Sequence, residues 1–351
     1  MKCGIMTFFG IPNYGAVLQA YSLCKVIREM GISCELINYV CNNIVKRELT
    51  PRKTSNIIKN TARYILWKKY SERRIKECSD FISDKKMIGS TVYTSDTLSE
   101  ANDVYDVFIS GSDMIWDDHI TAGDLSYFLP FAEEEKPKIA YGSSDGNGLV
   151  NLESAKIEML RKYDHIGVRE SDSYHNLINH GIDCSLVADP TMLITAESWA
   201  EMCTCSLESK YVLVYFPSEV LLSAAKNYAS KHNTEIWVIA DHNKWGRKVK
   251  CVHIYSLYDW LSLIKNAEAV FTDSYHGVLF SMYFNKPFFT NNNGNRVSTL
   301  LTKFSLGERY IGNNPDYSAK IDYNKVNEEI YDFRAFSLNY LKNALKVQQN
   351  G

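Results

Sequence analysis

An apolar strand pattern that ends in polar residues and reopens as an apolar helix holds side chains at a helix start. Val270-Phe271-Thr272-Asp273-Ser274-Tyr275-His276-Gly277-Val278-Leu279-Phe280 has that form. His276 is then expected at a helix N-terminus, where the positive dipole end disfavours a cationic ring and leaves a neutral imidazole able to exchange a proton. A lone histidine is more often structural, so on this pattern alone the catalytic reading stays open beside that one. Two arginines have similar settings. Arg169 ends Ile166-Gly167-Val168 and precedes a helix pattern, and Arg296 follows the polar turn Asn291-Asn292-Asn293-Gly294-Asn295 and opens another. Each offers a fixed, forked positive charge suited to phosphate or carboxylate, with an ordinary ion pair, Glu170 for Arg169, as the alternative.

Three further turns follow apolar runs. Gly10-Ile11-Pro12-Asn13-Tyr14-Gly15 leads into a helix, so its amides and the helix start can face an anion; an empty glycine turn fits equally. Phe108-Ile109-Ser110-Gly111-Ser112-Asp113 empties into small polar residues, with Trp116 placed to wall a pocket, although Asx-type turn bonding gives the same pattern. Tyr141-Gly142-Ser143-Ser144-Asp145-Gly146 contains G-x-S-x-G, inviting a hydrolase with His276 as base and Asp189 or Asp241 as third member. Asp145-Gly146-Asn147-Gly148 is a poor helix start, which argues against a nucleophile elbow. G-x-G-x-x-G is absent, so a dinucleotide has no support.

These turns imply the elements that carry them. Cys3 to Phe9, a helical pattern from Val17 to Ile27 closed by Gly31, and Cys34 to Tyr39 form a βαβ unit, which requires a parallel sheet. Strands are further expected at Val104–Ser110, Lys138–Ser143, Ile166–Arg169, Ser185–Ala188, Tyr211–Tyr215, Glu235–Ala240, Ala269–Thr272 and Pro287–Thr290. The fold class is therefore α/β, with two doubly wound Rossmann-like domains, 1–200 and 201–323, facing a cleft where ligands sit. A terminal helix from 324 to 351 is expected to return to the first domain.

The stretch 46–77 holds eleven Lys or Arg against three Glu and reads as an inserted basic amphipathic helix. Its face is either merely solvated or, with Tyr64 and Trp67, suited to an anionic membrane surface or a lipid-linked acceptor.

Composition limits the functions open to this chain. A formal net charge of -2 over 351 residues lacks the field that nucleic-acid binding needs. Nine scattered cysteines without C-x-x-C, and an N-terminal apolar run broken by Gly10 and Pro12, point to reduced thiols and a cytoplasmic protein, at most at the inner face of a membrane. No metal-ligand spacing is present, so no metal is expected. Homo-oligomerisation is left open.

Together, Asn13-Tyr14-Gly15-Ala16-Val17-Leu18-Gln19-Ala20, Gly111-Ser112-Asp113, Val168-Arg169-Glu170, Asp189-Pro190-Thr191 and Thr272-Asp273-Ser274-Tyr275-His276-Gly277 resemble the polysaccharide pyruvyl transferase family. The resemblance implies a fold similar to GT-B glycosyltransferases, phosphoenolpyruvate as co-substrate without further cofactor, and a sugar or lipid-linked oligosaccharide acceptor in exopolysaccharide and cell-envelope biosynthesis. In the family's late Ser-Arg-x-His pattern the histidine is the acid or base, and it falls on His276. The arginine's place is taken by Ser274. The implied donor set is Arg169, Arg296, Ser274, Asn13, Gly15 and Ser112, with Tyr14, Asp113, Trp116 and Asp273 lining the cleft or meeting the acceptor. A nucleotide-sugar glycosyltransferase and a non-catalytic anion- or polysaccharide-binding homologue are the competing readings.

Overall fold

Strands that are apolar on both faces are stable only when helices cover both sides of their sheet, and two such sheets organise the chain. The computed structural model describes residues 1–39, 41, 43–44, 57–150, 152–204, 207–240 and 249–347. Its compact units are 1–194 with 332–351, and 195–331. The first division thus falls at Ile194/Thr195, and the second falls inside the last helix.

In the first unit, β1 (Lys2–Met6), β2 (Ser33–Tyr39), β3 (Ile88–Tyr93), β4 (Val107–Ser110), β5 (Lys138–Ser143), β6 (His165–Val168) and β7 (Ser185–Leu186) are ordered β3-β2-β1-β4-β5-β6-β7. Every pairing is parallel. This is the doubly wound order, with its winding reversed between β1 and β4. The connecting helices are α1 (Tyr14–Glu29), α2 (Ile57–Asp84), α3 (Asp118–Thr121), α4 (Ser154–Leu160) and α5 (Ser171–Asn179). α1 is capped by Asn13, whose Oδ1 accepts from the Ala16 amide, and it is buried along almost its whole length. Gly31, at φ +81°, accepts the left-handed backbone that stops it.

The second unit repeats the plan with fewer strands. β8 (Tyr211–Tyr215), β9 (Glu235–Ile239), β10 (Lys250–Val252), β11 (Ala269–Thr272) and β12 (Phe288–Phe289) are ordered β10-β9-β8-β11-β12, all parallel. α6 (Ala196–Glu201), α7 (Glu219–His232), α8 (Leu257–Asn266), α9 (Tyr275–Tyr283) and α10 (Asn295–Lys303) belong to it. α11 (Tyr323–Ala344) has its residues to Tyr331 in this unit and those from Asp332 in the first, where Ser337 Oγ accepts from the Ala188 amide at 2.9 Å.

β3 and β10 were not expected from the sequence, and the expected basic segment is only partly visible. Residues 46–56 and the side chains of Tyr64 and Trp67 lie outside the described residues. From Lys68 onward α2 pairs its own charges, Lys68 with Glu72 and Lys76 with Asp80. Arg74 stacks over Tyr14 at 4.7 Å and donates to the Pro12 carbonyl at 2.5 Å, so one basic residue of this helix fixes the loop after β1. Among the described residues no helix is long and apolar enough to cross a membrane.

The helix bearing His276 is anchored by rings. Phe280 of α9, fully buried, meets Trp199 and Trp260 edge-on, each at 5.1 Å, and Tyr283 at 5.2 Å. Removing it leaves a cavity among rings that cannot collapse. Phe280→Ala is expected to cost about 3–5 kcal/mol, read as a lowered urea midpoint with unchanged slope.

Candidate active site

In a doubly wound sheet, ligands bind beyond the carboxyl ends of the strands where the winding reverses. In the second unit that point lies between β8 and β11, which pair Tyr215 with Thr272. Asp273 follows directly. Its Oδ1 accepts from the Asn291 amide at 2.8 Å and from Thr290 Oγ1 at 3.5 Å, and its carbonyl accepts from Asn292 Nδ2 at 2.8 Å. Half-burial raises the carboxyl above its ordinary pKa, while these amide and hydroxyl donors, with the Ser218 hydroxyl beyond β8, pull it back. Asp273 therefore ties the ends of β8, β11 and β12 to one another.

Ser274 caps α9, its Oγ accepting from the Gly277 amide at 3.2 Å. His276 is the second residue of that helix and is 6% exposed, with its ring edge-on to Tyr275 at 5.2 Å. Gly277 is required by closeness: a Cβ there would lie 2.6 Å from Thr272 Oγ1. Arg296 is the second residue of α10 and places its guanidinium 5.6 Å from the centre of the Tyr275 ring. Gly294 gives α10 no side-chain cap. His276, Arg296, Ser274 and Asp273 are thus brought together within one unit, at the starts of helices that follow adjacent parallel strands.

The first unit treats its expected site residues differently. Arg169 is not an open fork. Its side chain is 1% exposed, and each nitrogen has an acceptor: Nη1 donates to Asp189 Oδ2 at 2.7 Å and Ser112 Oγ at 3.0 Å, Nε to Glu170 Oε1 at 3.3 Å, and Nη2 to Asp113 Oδ1 at 3.5 Å. Asp189 also accepts from the Thr191 amide and hydroxyl, at 2.9 and 2.7 Å. Ser112 carries the network on, its carbonyl accepting from Thr7 Oγ1, which in turn accepts from Gln19 Nε2. The charge expected to bind an anion is compensated internally, and Ser112 and Asp113 are spent on the same cluster.

Of the other first-unit candidates Gly15, Tyr14 and Trp116 are buried and Asn13 is exposed. Asn13 is a helix cap, Gly15 is buried in the first turn of α1, and Tyr14 lies under Arg74 with 1% exposure. Trp116 is 2% exposed, stacked on Phe128 at 5.4 Å, and its indole donates to the Tyr127 carbonyl. The loop after β1 lines a crevice of 30 Å³, room for one or two waters. After β5 no helix begins at Ser144, and its Oγ accepts from the Gly146 amide, so no nucleophile elbow is formed. Asp241 lies outside the described residues.

Missed by the sequence reasoning were Ser218, Thr290, Asn291 and Asn292, which hold Asp273. Ser218 ahead of Glu219 after an apolar strand is a helix-cap signal that could have found one of them.

The chain matches the polysaccharide pyruvyl transferase family over residues 13–295. It belongs to that family. No curated protein matches it in sequence. Among solved structures, the S. aureus MnaA-UDP co-structure is similar with a TM-score of 0.53 at 11% identity, covering 100% of this chain and 98% of that one. A UDP-N-acetylglucosamine 2-epimerase structure gives 0.53 at 10%, covering 99% and 97%. At such identities the likeness concerns the fold, the GT-B-like pairing of Rossmann-like units in one chain. For the family member, the Arg169 cluster sets a test. Arg169→Met strands buried carboxylates and should lower stability by about 3–5 kcal/mol in urea unfolding; unchanged stability with lost anion binding would restore the open-fork expectation.

Proposed function

We propose that this chain transfers a pyruvyl group from phosphoenolpyruvate to hydroxyls of a sugar in a surface polysaccharide or its lipid-linked precursor, forming a ketal. The observation that carries this reading is the meeting of His276 with Arg296 around Tyr275, beside a helix start that no side chain caps. Phosphoenolpyruvate carries a phosphate and a carboxylate. The positive start of α10 and the Arg296 guanidinium are complementary in charge to both groups, and a charge-assisted bond of this type is about twice as strong as a neutral one. Ser274 stands where the family's pattern has arginine, and Arg296 supplies the missing cation from the neighbouring helix.

His276 then serves proton transfer. The enol methylene gains a proton to become a methyl, and a sugar hydroxyl adds to the resulting oxocarbenium-like carbon, giving up its own proton. The C–O bond to phosphate breaks, and a second hydroxyl closes the ketal. Of the two hydroxyl protons released, one balances the methyl and one leaves with inorganic phosphate. A ring that is only 6% exposed suits a step in which the proton must reach carbon rather than bulk water.

The test is phosphate release from phosphoenolpyruvate with a panel of sugar acceptors. His276→Ala should reduce kcat by ~10²- to 10⁴-fold, and Arg296→Met should raise KM for phosphoenolpyruvate by about ten- to a hundredfold, both with native circular dichroism. Calorimetry showing heat with nucleotide sugars and none with phosphoenolpyruvate would remove the donor assignment in favour of glycosyl transfer.

A further inference from the structure

Phe216 is the residue directly after β8, at the point where the winding of the second sheet reverses. Because Tyr215 is the parallel partner of Thr272, Phe216 is level with Asp273, and adjacent parallel strands run about 4.8 Å apart. His276 begins three residues further along that neighbouring chain segment.

Two unfavourable features coincide at this residue. Its ring is 59% exposed, and its backbone lies at φ +57°, a conformation that costs a bulky L-residue ~1–3 kcal/mol. Pro217 follows, and a proline ring favours extended backbone at the preceding position. Elsewhere such strain is offset by burial: Leu129 and Leu149 also have positive φ, and each is 1% exposed. Among the described residues Phe216 is the single exposed large apolar side chain on left-handed backbone. Its ring meets Tyr215 edge-on at 4.7 Å, which leaves the rest of the ring to solvent. Val220, in the first turn of α7, is 47% exposed.

A pyranose fits these features. One of its faces presents polarised C–H groups, which pack on the electron-rich face of an aromatic ring, while its hydroxyls project sideways. We propose that Phe216 is the stacking platform for the acceptor sugar, setting which hydroxyls are turned toward His276. Strain then holds the ring out at the switch point instead of letting it fold onto the sheet. The sugar's role as acceptor rests on the pyruvyl-transfer reading; the platform itself does not.

The probes are the methyl glycosides of glucose, galactose and mannose, titrated against the full chain by saturation-transfer NMR. Phe216→Gly removes the ring and tolerates positive φ, so its thermal midpoint should hold or rise. Its dissociation constant for the glycosides bound by the wild type should rise about tenfold or more, and Phe216→Trp should keep binding. The platform is overturned if the glycine variant binds as the wild type does, or if none of the three glycosides binds the wild type. Phosphate release separates the two proposals. Glycoside binding through Phe216 without release of phosphate from phosphoenolpyruvate leaves the platform and removes pyruvyl transfer. Phosphate release with an unchanged acceptor KM in Phe216→Gly removes the platform alone.

Discussion

A guanidinium taken out of water among three carboxylates is the constraint on which the first unit's sheet edge depends. Desolvating these charges costs several kcal/mol per ion, and their attraction offsets that only when the geometry is well satisfied. Arg169 meets the condition through acceptors supplied by the segments after β4, β6 and β7, so loops far apart in sequence are held in one arrangement. Lysine could not replace it, since one ammonium lacks the planar spread of donors that reaches several carboxylates at once. The Thr7 and Gln19 side chains extend the same order to the end of β1 and to α1.

The second unit uses the corresponding strand ends in the opposite way. Asp273 is only half-buried, is held by neutral donors, and keeps a raised carboxyl pKa. Around it stand a nearly buried imidazole, a guanidinium on an aromatic face and a helix start without a side-chain cap. One switch point is consolidated by internal ion pairing, and the other is held by neutral donors to Asp273.

The fold was legible because parallel strands buried on both faces read as continuous apolar runs: Lys138–Ser143, Tyr211–Tyr215 and Ala269–Thr272 have the bounds expected of them. The strands that escaped notice are edge strands. β3, Ile88–Tyr93, exposes its middle residues, and β10 has three residues, so neither needs the apolar run that marks an interior strand. At the site, the helix starts of His276 and Arg296 were legible from local turn chemistry. The fate of Arg169 was not, because its strongest partner lies 20 residues away and Asp113 lies 56 away, and no local pattern encodes that convergence.

The two helix starts at this strand edge are finished differently. Ser274 accepts from the Gly277 amide and satisfies the start of α9, while Gly294 gives α10 no side-chain cap. Arg296 sits on the next helix with its guanidinium over the Tyr275 ring. A cation–π contact holds a guanidinium in place without neutralising it. Arg169, by contrast, is saturated by Asp189, Glu170 and Asp113.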